Sequence, residues 1–525
     1  MTVPILYRNI NLYIPPEDEP GKYLDTKEPP WLNCFRSIAR NKSGQAEWVR
    51  TIAVRGARRN SYETFPRVGA KESTVPDVAR LNSERIQLHK LLSTLFTKMK
   101  KLQSFCWTAD CLYPTKEVFK LQENVKVFIY LYPRALQNAR KDKVLSDAYP
   151  EIRHASFKCL KELSIFDIPY LRTLNHISKI LVEVRGTIRV LRLGLIKEGD
   201  RFRALPQMYK TSSAYSQDLL LTVTKGLSKF SKTDGFVRLH TLEILFCNHL
   251  VIQAWAQIFD FTAIKSFSLI HSFHFGVHYP SPWTYLQSRR VTLKRLKTNI
   301  YVTGAVGYLQ SFNSLEELYL IGSPEYLDFG ALRFHFSNLR AFLCLEYVTH
   351  LRFFVRNIHL LIAGCPKLEE LGIPLPRKIQ STVWSVLAHA PALRCLYFIK
   401  YNTGRIGSLQ ALDPFIFEFF GYFELHPSPL IYRLEMLSCH KTLWRLSSLA
   451  SAPVQRRTHE EIWNDIDRWC GYEPFNTRER ANTRPEPLRF GNFGPGLDRV
   501  AIRVRWEDYL EDEMISTIRN YLLPE

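Results

Sequence analysis

Apolar residues along this chain recur in one short frame, L-x-x-L-x-L. The clearest copy is "SLEELYL", with Leu315, Leu318 and Leu320. The same skeleton is present in "KLEELGI" (Leu368, Leu371, Ile373), "ALRCLYF" (Leu393, Leu396, Phe398) and "CLKELSI" (Leu160, Leu163, Ile165). Two more copies are "TIRVLRL" (Ile188, Leu191, Leu193) and "TLEILFC", framed on Leu242, Leu245 and Cys247. Weaker copies start at Val49, Leu102, Val125, Ile264, Leu293 and Leu339. From Leu242 onward the starts are 22, 29, 22, 24, 29 and 25 residues apart, and two earlier gaps near 53 are each expected to hold a degenerate copy. Alternating apolar residues put one face of a short strand into a core. The segment before several copies is helical in pattern: in "IQLHKLLSTLFTKMKK", Leu88, Leu91, Leu92, Leu95, Phe96 and Met99 fall at steps of three and four. Gly364 with Pro366, and Pro391 in the next copy, then stop the helix. Each unit therefore reads helix, turn, strand.

A self-similar period of this length is the signature of a stacked repeat. Over roughly residues 45–440 the chain resembles the leucine-rich-repeat family. The resemblance implies an α/β fold, an irregular leucine-rich-repeat solenoid with a concave parallel sheet and convex helices. An ordinary α/β domain with leucine-rich strands would not keep the period. The asparagine that the commonest form carries after the last leucine is mostly absent, with Asn248 and Asn299 as its relics, so the array is expected to be irregular. Residues 1–44 read as an N-terminal joint and cap, 45–450 as the solenoid, and 451–525 as a C-terminal cap or tail. The composition changes at "SSLASAPVQRRTHEE", and beyond it "RVAIRVRW" reads as a strand and "WEDYLEDEMISTIRNYLLPE" as a helix. Part of this region is expected to cap the last coil or fold toward the concave face, because several outward strand positions are apolar: Val127, Ile129, Ile244, Ala341, Leu343 and Leu345.

Three further segments occur in a family-like order: "VPILYRNINLYI" (Val3 to Ile14), "FRSIARNKSGQAEWVRTIAV" (Phe35 to Val54) and "LLSTLFTKMKKLQSFCWT" (Leu91 to Thr108). They resemble the linker and first repeats of fungal F-box/leucine-rich-repeat proteins. The F-box pattern itself, L-P-x-E-x-L with apolar helices, is absent, and Met1 lies where that domain would already have ended. The resemblance implies a substrate receptor of a cullin-type ubiquitin ligase, joined through the Skp adaptor if an F-box or another adaptor contact is supplied.

Charge adds a second possibility. The 525 residues carry 71 Lys+Arg against 50 Asp+Glu, a net +21, which raises the odds of an acidic partner. The basic residues come in short scattered clusters such as Arg58-Arg59, Arg289-Arg290 and Arg456-Arg457. Ten cysteines with no C-x-x-C give no disulfide framework, and several (Cys247, Cys344, Cys395) lie in apolar strand-like runs. That usage, the lack of a signal-peptide pattern and the lack of any apolar run of membrane-spanning length together lead to an expected cytoplasmic or nuclear location.

Catalytic signatures are missing: there is no phosphate-binding loop, no G-x-S-x-G and no H-E-x-x-H. His271, His274 and His278 in "HSFHFGVH" could approach a metal, but the segment has no neighbouring carboxylate and reads as a loop. Glu316-Glu317 and Glu369-Glu370 sit at strand entries, not as a hydrolytic dyad. The expectation is a protein that is not an enzyme and needs no cofactor or metal. Its binding face would be the row of side chains between the buried leucines. The candidates are Arg192, Phe246, Asn248, Arg295, Lys297, Tyr319 and Tyr397, with Arg55, Cys106, Thr108, Glu317 and Glu370 in the same face. Arginine and tyrosine dominate interface energetics, which favours a noncatalytic protein-recognition scaffold. The alternative is a basic repeat protein that binds nucleic acid or an anionic surface, with steep salt dependence as its mark.

Overall fold

The computed structural model describes residues 9–14, 36, 45–56, 91, 94–95, 98–108, 124–131, 157–168, 171–195, 236, 238–245, 259–270, 282–298, 304–320, 329–344, 351–375, 380–401, 412–439, 442–448, 488–490 and 499–504. The chain divides into two compact units, residues 1–312 and 313–524. Both are leucine-rich-repeat solenoid of the α/β class.

The first unit contains β1 (Asn9–Ile14), β2 (Thr51–Gly56), β3 (Ser104–Thr108), β4 (Val127–Leu131), β5 (Glu162–Ile168), α1 (Leu171–Val184), β6 (Val190–Leu195), β7 (Thr241–Leu245), β8 (Ser266–Ile270), α2 (Pro282–Ser288), β9 (Arg295–Thr298) and α3 (Ala305–Gln310). Its nine strands pair in parallel in chain order. The register matches one residue of each copy to the same residue of the next: Ile52, Phe105, Phe128, Leu163, Leu191, Leu242, Phe267 and Leu296 form one row. All eight are buried, as are the frame-opening residues three positions before them. That burial explains the spacing, since the first leucine closes the turn under the strand and the next two line its inner face.

The register corrects two sequence readings and places the strand-like piece near the N-terminus. In β7 the row residue is Leu242, so its copy opens on Leu239 and runs Leu239, Leu242, Ile244, not Leu242, Leu245, Cys247. Ile244 accordingly faces the core at 3% exposure, and the frame had been slipped by three because apolar residues stand at both settings. Across the two long gaps β2 pairs directly with β3, and β6 directly with β7, so no strand of a degenerate copy stands between them in the ladder. And β1 is in register with β2, Ile10 opposite Ile52, so the sheet starts inside the segment read as a joint.

The second unit contains β10 (Glu317–Leu320), α4 (Phe329–Leu332), β11 (Ala341–Cys344), α5 (Leu351–Gly364), β12 (Glu370–Leu375), α6 (Gln380–Leu387), β13 (Cys395–Tyr401), α7 (Leu412–Leu425), α8 (Pro429–Arg433), β14 (Met436–Cys439), β15 (Thr442–Ser448), β16 (Leu488–Phe490) and β17 (Arg499–Val504). β10 to β14 are parallel, with Leu318, Phe342, Leu371, Leu396 and Leu437 in one row. "LEMLSC", from Leu434 to Cys439, is thus a further copy that the sequence reading did not count. Helices cover the inner face of the strands. Phe398 of β13 meets Phe419 of α7, and Phe342 of β11 meets Phe329 of α4. Gly364 ends α5 against the Phe336 ring, where a Cβ would overlap the ring. After β14 the direction reverses: β15 pairs antiparallel with β14, then β17 with β15 and β16 with β17. β17 falls in "RVAIRVRW", and with β15 it covers the edge that β14 would otherwise leave open.

Candidate recognition surfaces

Two rows of side chains follow from the register. The middle row, between the buried leucines on the face away from the helices, runs Ala53, Cys106, Ile129, Ser164, Arg192, Glu243, Ser268, Lys297 in the first unit. In the second it runs Tyr319, Leu343, Gly372, Tyr397, Ser438. Three predicted binding residues, Lys297, Tyr319 and Tyr397, are on this face but not displayed on it, with exposures of 5%, 5% and 1%. Arg192, Arg295, Cys106, Glu317 and Glu370 are half-buried. Phe246, Asn248, Asn299 and Leu345 lie outside the described residues, as do His271, His274 and His278, and the side chains of Arg55 and Thr108 are likewise outside the description. With β7 reframed, the outward residues of that coil are Thr241 and Glu243, both buried.

The middle row holds a buried charge cluster. The Arg192 guanidinium on β6 donates to Glu162 of β5 and, at 3.3 Å, to the Ser164 hydroxyl. Arg192 Nε stands 3.7 Å from Glu243 Oε1, and Lys297 Nζ approaches the same oxygen at 3.9 Å. The side chains of Glu243 and Lys297 are 5% and 6% exposed. Burying an ion is costly unless an opposite charge compensates it, so this alternation across β5, β6, β7 and β9 is what allows charged residues inside a sheet face. The Tyr319 hydroxyl similarly donates to Glu317 at 2.6 Å.

The second row was missed by the sequence reading. It consists of the residue immediately after each frame-opening leucine, just ahead of the strand. Its backbone is pinned: in each unit the carbonyl of every member but the last accepts two N–H groups from the next coil, as Lys126 O does from Lys161 and Glu162, and Lys265 O from Lys294 and Arg295. In the first unit the row is Arg50, Gln103, Lys126, Lys161, Arg189, His240, Lys265, Lys294, which is seven basic or histidine residues and one glutamine. In the second it is Glu316, Arg340, Glu369, Arg394, Glu435, with strict alternation of sign. Arg340 reaches both oxygens of Glu369 at 2.8 and 2.9 Å, and Arg394 pairs with Glu435. The hydrogen bond to Glu369, then its charge, holds the Arg340 guanidinium above the usual arginine range. A positional count at L+1 in each copy would have exposed both patterns.

Among the described residues no three His, Cys, Asp or Glu side chains are placed to hold a metal, and no helix is long and apolar enough to cross a membrane. Cys365, fully buried behind α5, has its thiol pKa pushed up to about 12 by desolvation, so the thiolate that reacts with electrophiles is scarce at neutral pH. Iodoacetamide applied to the native chain at neutral pH is therefore expected to alkylate exposed Cys159 and leave Cys365 unmodified until denaturant is added. Peptide mapping that finds Cys365 alkylated as fast as Cys159 would contradict its burial.

No family model matches the chain, and no curated protein matches it. Solved structures do. The crystal structure of a TLR13–ssRNA13 complex matches at 12% identity over 69% of this chain and 41% of that one, with a TM-score of 0.27. The structure of the Drosophila Toll–Spatzle complex matches at 12% identity over 78% of this chain and 53% of the other, with a TM-score of 0.23. The chain thus spans about half the length of these structures or less. Likeness at this level carries neither a site nor a ligand across.

Proposed function

We propose that this chain is a noncatalytic protein-recognition scaffold. The observation that supports the reading is the register: successive coils set side chains in straight rows about 4.8 Å apart, on a frame of paired backbone hydrogen bonds. On the face away from the helices, half-buried Cys106 and Ile129 lie beside half-buried Ser104 and Val127, a mixed apolar and polar patch of the kind that forms interface cores. The resemblance to F-box/leucine-rich-repeat proteins extends the proposal to a substrate receptor of a cullin-type ubiquitin ligase, whose adaptor contact comes from an F-box or from another part of the assembly.

A photo-crosslinking residue at Cys106 or Ile129 is expected to trap a partner protein in cells of origin, and one at Lys179, exposed on α1, is not. Equal trapping at all three positions would remove the sheet face from the proposal. Copurification of the Skp adaptor with the tagged chain tests the ligase extension separately. Its absence would leave a scaffold without the ligase.

A further inference from the structure

We infer that the strand-entry stripe of the first unit is a second binding surface, for the phosphate backbone of a nucleic acid. Like charges one strand spacing apart repel one another, and a repeat that only needed a polar residue at this position would have no reason to keep them. The second unit shows that the position tolerates both signs, because there the same row alternates and neutralises itself. In the first unit Lys161, Arg189, His240 and Lys265 are exposed, and Lys126, Lys161, Arg189 and Lys265 have no ion pair among the described residues. The stripe crosses eight successive coils, a line of roughly 34 Å at the usual strand spacing.

A line of cations fixed on a rigid backbone is matched by a polymer that bears a negative charge at every residue, whatever its sequence. Binding releases the counterions held by that polymer, which makes affinity fall steeply with salt. An acidic protein segment would instead need carboxylates at a matching interval. A further feature favours nucleic acid over such a segment. Trp48, two residues before Arg50 at the end of the stripe, is 44% exposed, the only large exposed aromatic among the described residues of this unit, with Lys101 Nζ 4.7 Å from its ring centroid. Exposed aromatics beside basic residues are where unpaired bases stack. The inference does not depend on a partner protein, so its failure would leave the scaffold proposal standing, and the reverse also holds.

The test uses the full chain, fluorescently labelled poly-U and a salt series. A row variant, K126Q/K161Q/R189Q/K265Q, is compared with a charge-matched control, K179Q/R238Q/R356Q/K367Q, built from exposed residues off the stripe. The row variant is expected to weaken poly-U binding by about tenfold or more and to make the log–log salt slope shallower by about 3, and the control to change affinity by less than about threefold. If the fourfold row variant misfolds, K161Q/R189Q is expected to give about half that change in slope. Equal losses in row and control variants would reduce the effect to net charge and overturn the inference. So would a native chain that does not bind poly-U at low salt, or poly-L-glutamate that displaces poly-U as effectively as unlabelled poly-U does.

Discussion

Phe419→Ala is expected to cost the second unit about 3–5 kcal/mol, the largest loss from any single truncation considered. Phe419 is fully buried on α7 and joins four neighbours that are themselves nearly or fully buried. Its ring centroid lies 5.0 Å from Phe423, 5.5 Å from Phe420, 5.8 Å from Trp384 of α6 and 6.3 Å from Phe398 of β13. The side chain thus ties α7 to the neighbouring helix and to the strand beneath it. Removing it leaves a cavity that the four rigid rings cannot close, because aromatic side chains fill space by shape and have few alternative rotamers. Urea unfolding should show a midpoint shift, and hydrogen exchange should place the loss in α6, α7 and β13. Phe419→Leu retains most of the volume and should cost clearly less. An Ala variant within about 1 kcal/mol of the native chain would show that α7 is not held by this cluster.

Glu243→Leu is expected to be comparably damaging for a different reason. Glu243 Oε1 is shared by Arg192 and Lys297, and its side chain is 5% exposed. Taking it away leaves two cations in a buried row. Arg192 keeps Glu162, but for Lys297 the Glu243 carboxylate is its one ion pair among the described residues, so the loss is about 3 kcal/mol, at the lower end of the range for breaking a buried pair, given separations beyond hydrogen-bond distance. The double variant Glu243→Leu/Lys297→Met removes the stranded charge with its partner and should recover more than half of that loss. Non-additivity of this sign in urea midpoints is the signature of coupling through the ion pair. Additive losses would mean that each side chain acts through packing alone.

Much of the fold was legible because its cause is local. Burial of three apolar residues in six, repeated every 22 to 29 residues, leaves few arrangements other than stacked helix-turn-strand coils, and the rows through Leu163, Leu318 and Leu371 stand where the frame puts them. The same frame was ambiguous at β7, where Leu239, Leu242, Ile244, Leu245 and Cys247 satisfy two settings, and only pairing with β6 and β8 chose between them. Insert lengths were equally ambiguous: the 53 residues between Val49 and Leu102 leave room for another strand of the ladder, and the pairing of Ile52 with Phe105 rules out a strand between them.

The candidate site divides the same way. Sequence alone determined which residues alternate with the leucines, and hence that Arg192 and Lys297 in the first unit, and Tyr319 and Tyr397 in the second, each lie on their own unit's face away from the helices. It could not determine their exposure, because burial of an outward position depends on what neighbouring coils place against it. Nor could it bring Glu162, Arg192, Glu243 and Lys297, spread over 136 residues, into one cluster. The basic stripe is the clearest case: its members are 23 to 53 residues apart in the chain and one strand spacing apart in space. Periodic burial is written in the chain because each coil must satisfy it separately. Charge rows exist only once the coils are stacked, since Coulomb energy depends on distance in space and is indifferent to separation along the backbone.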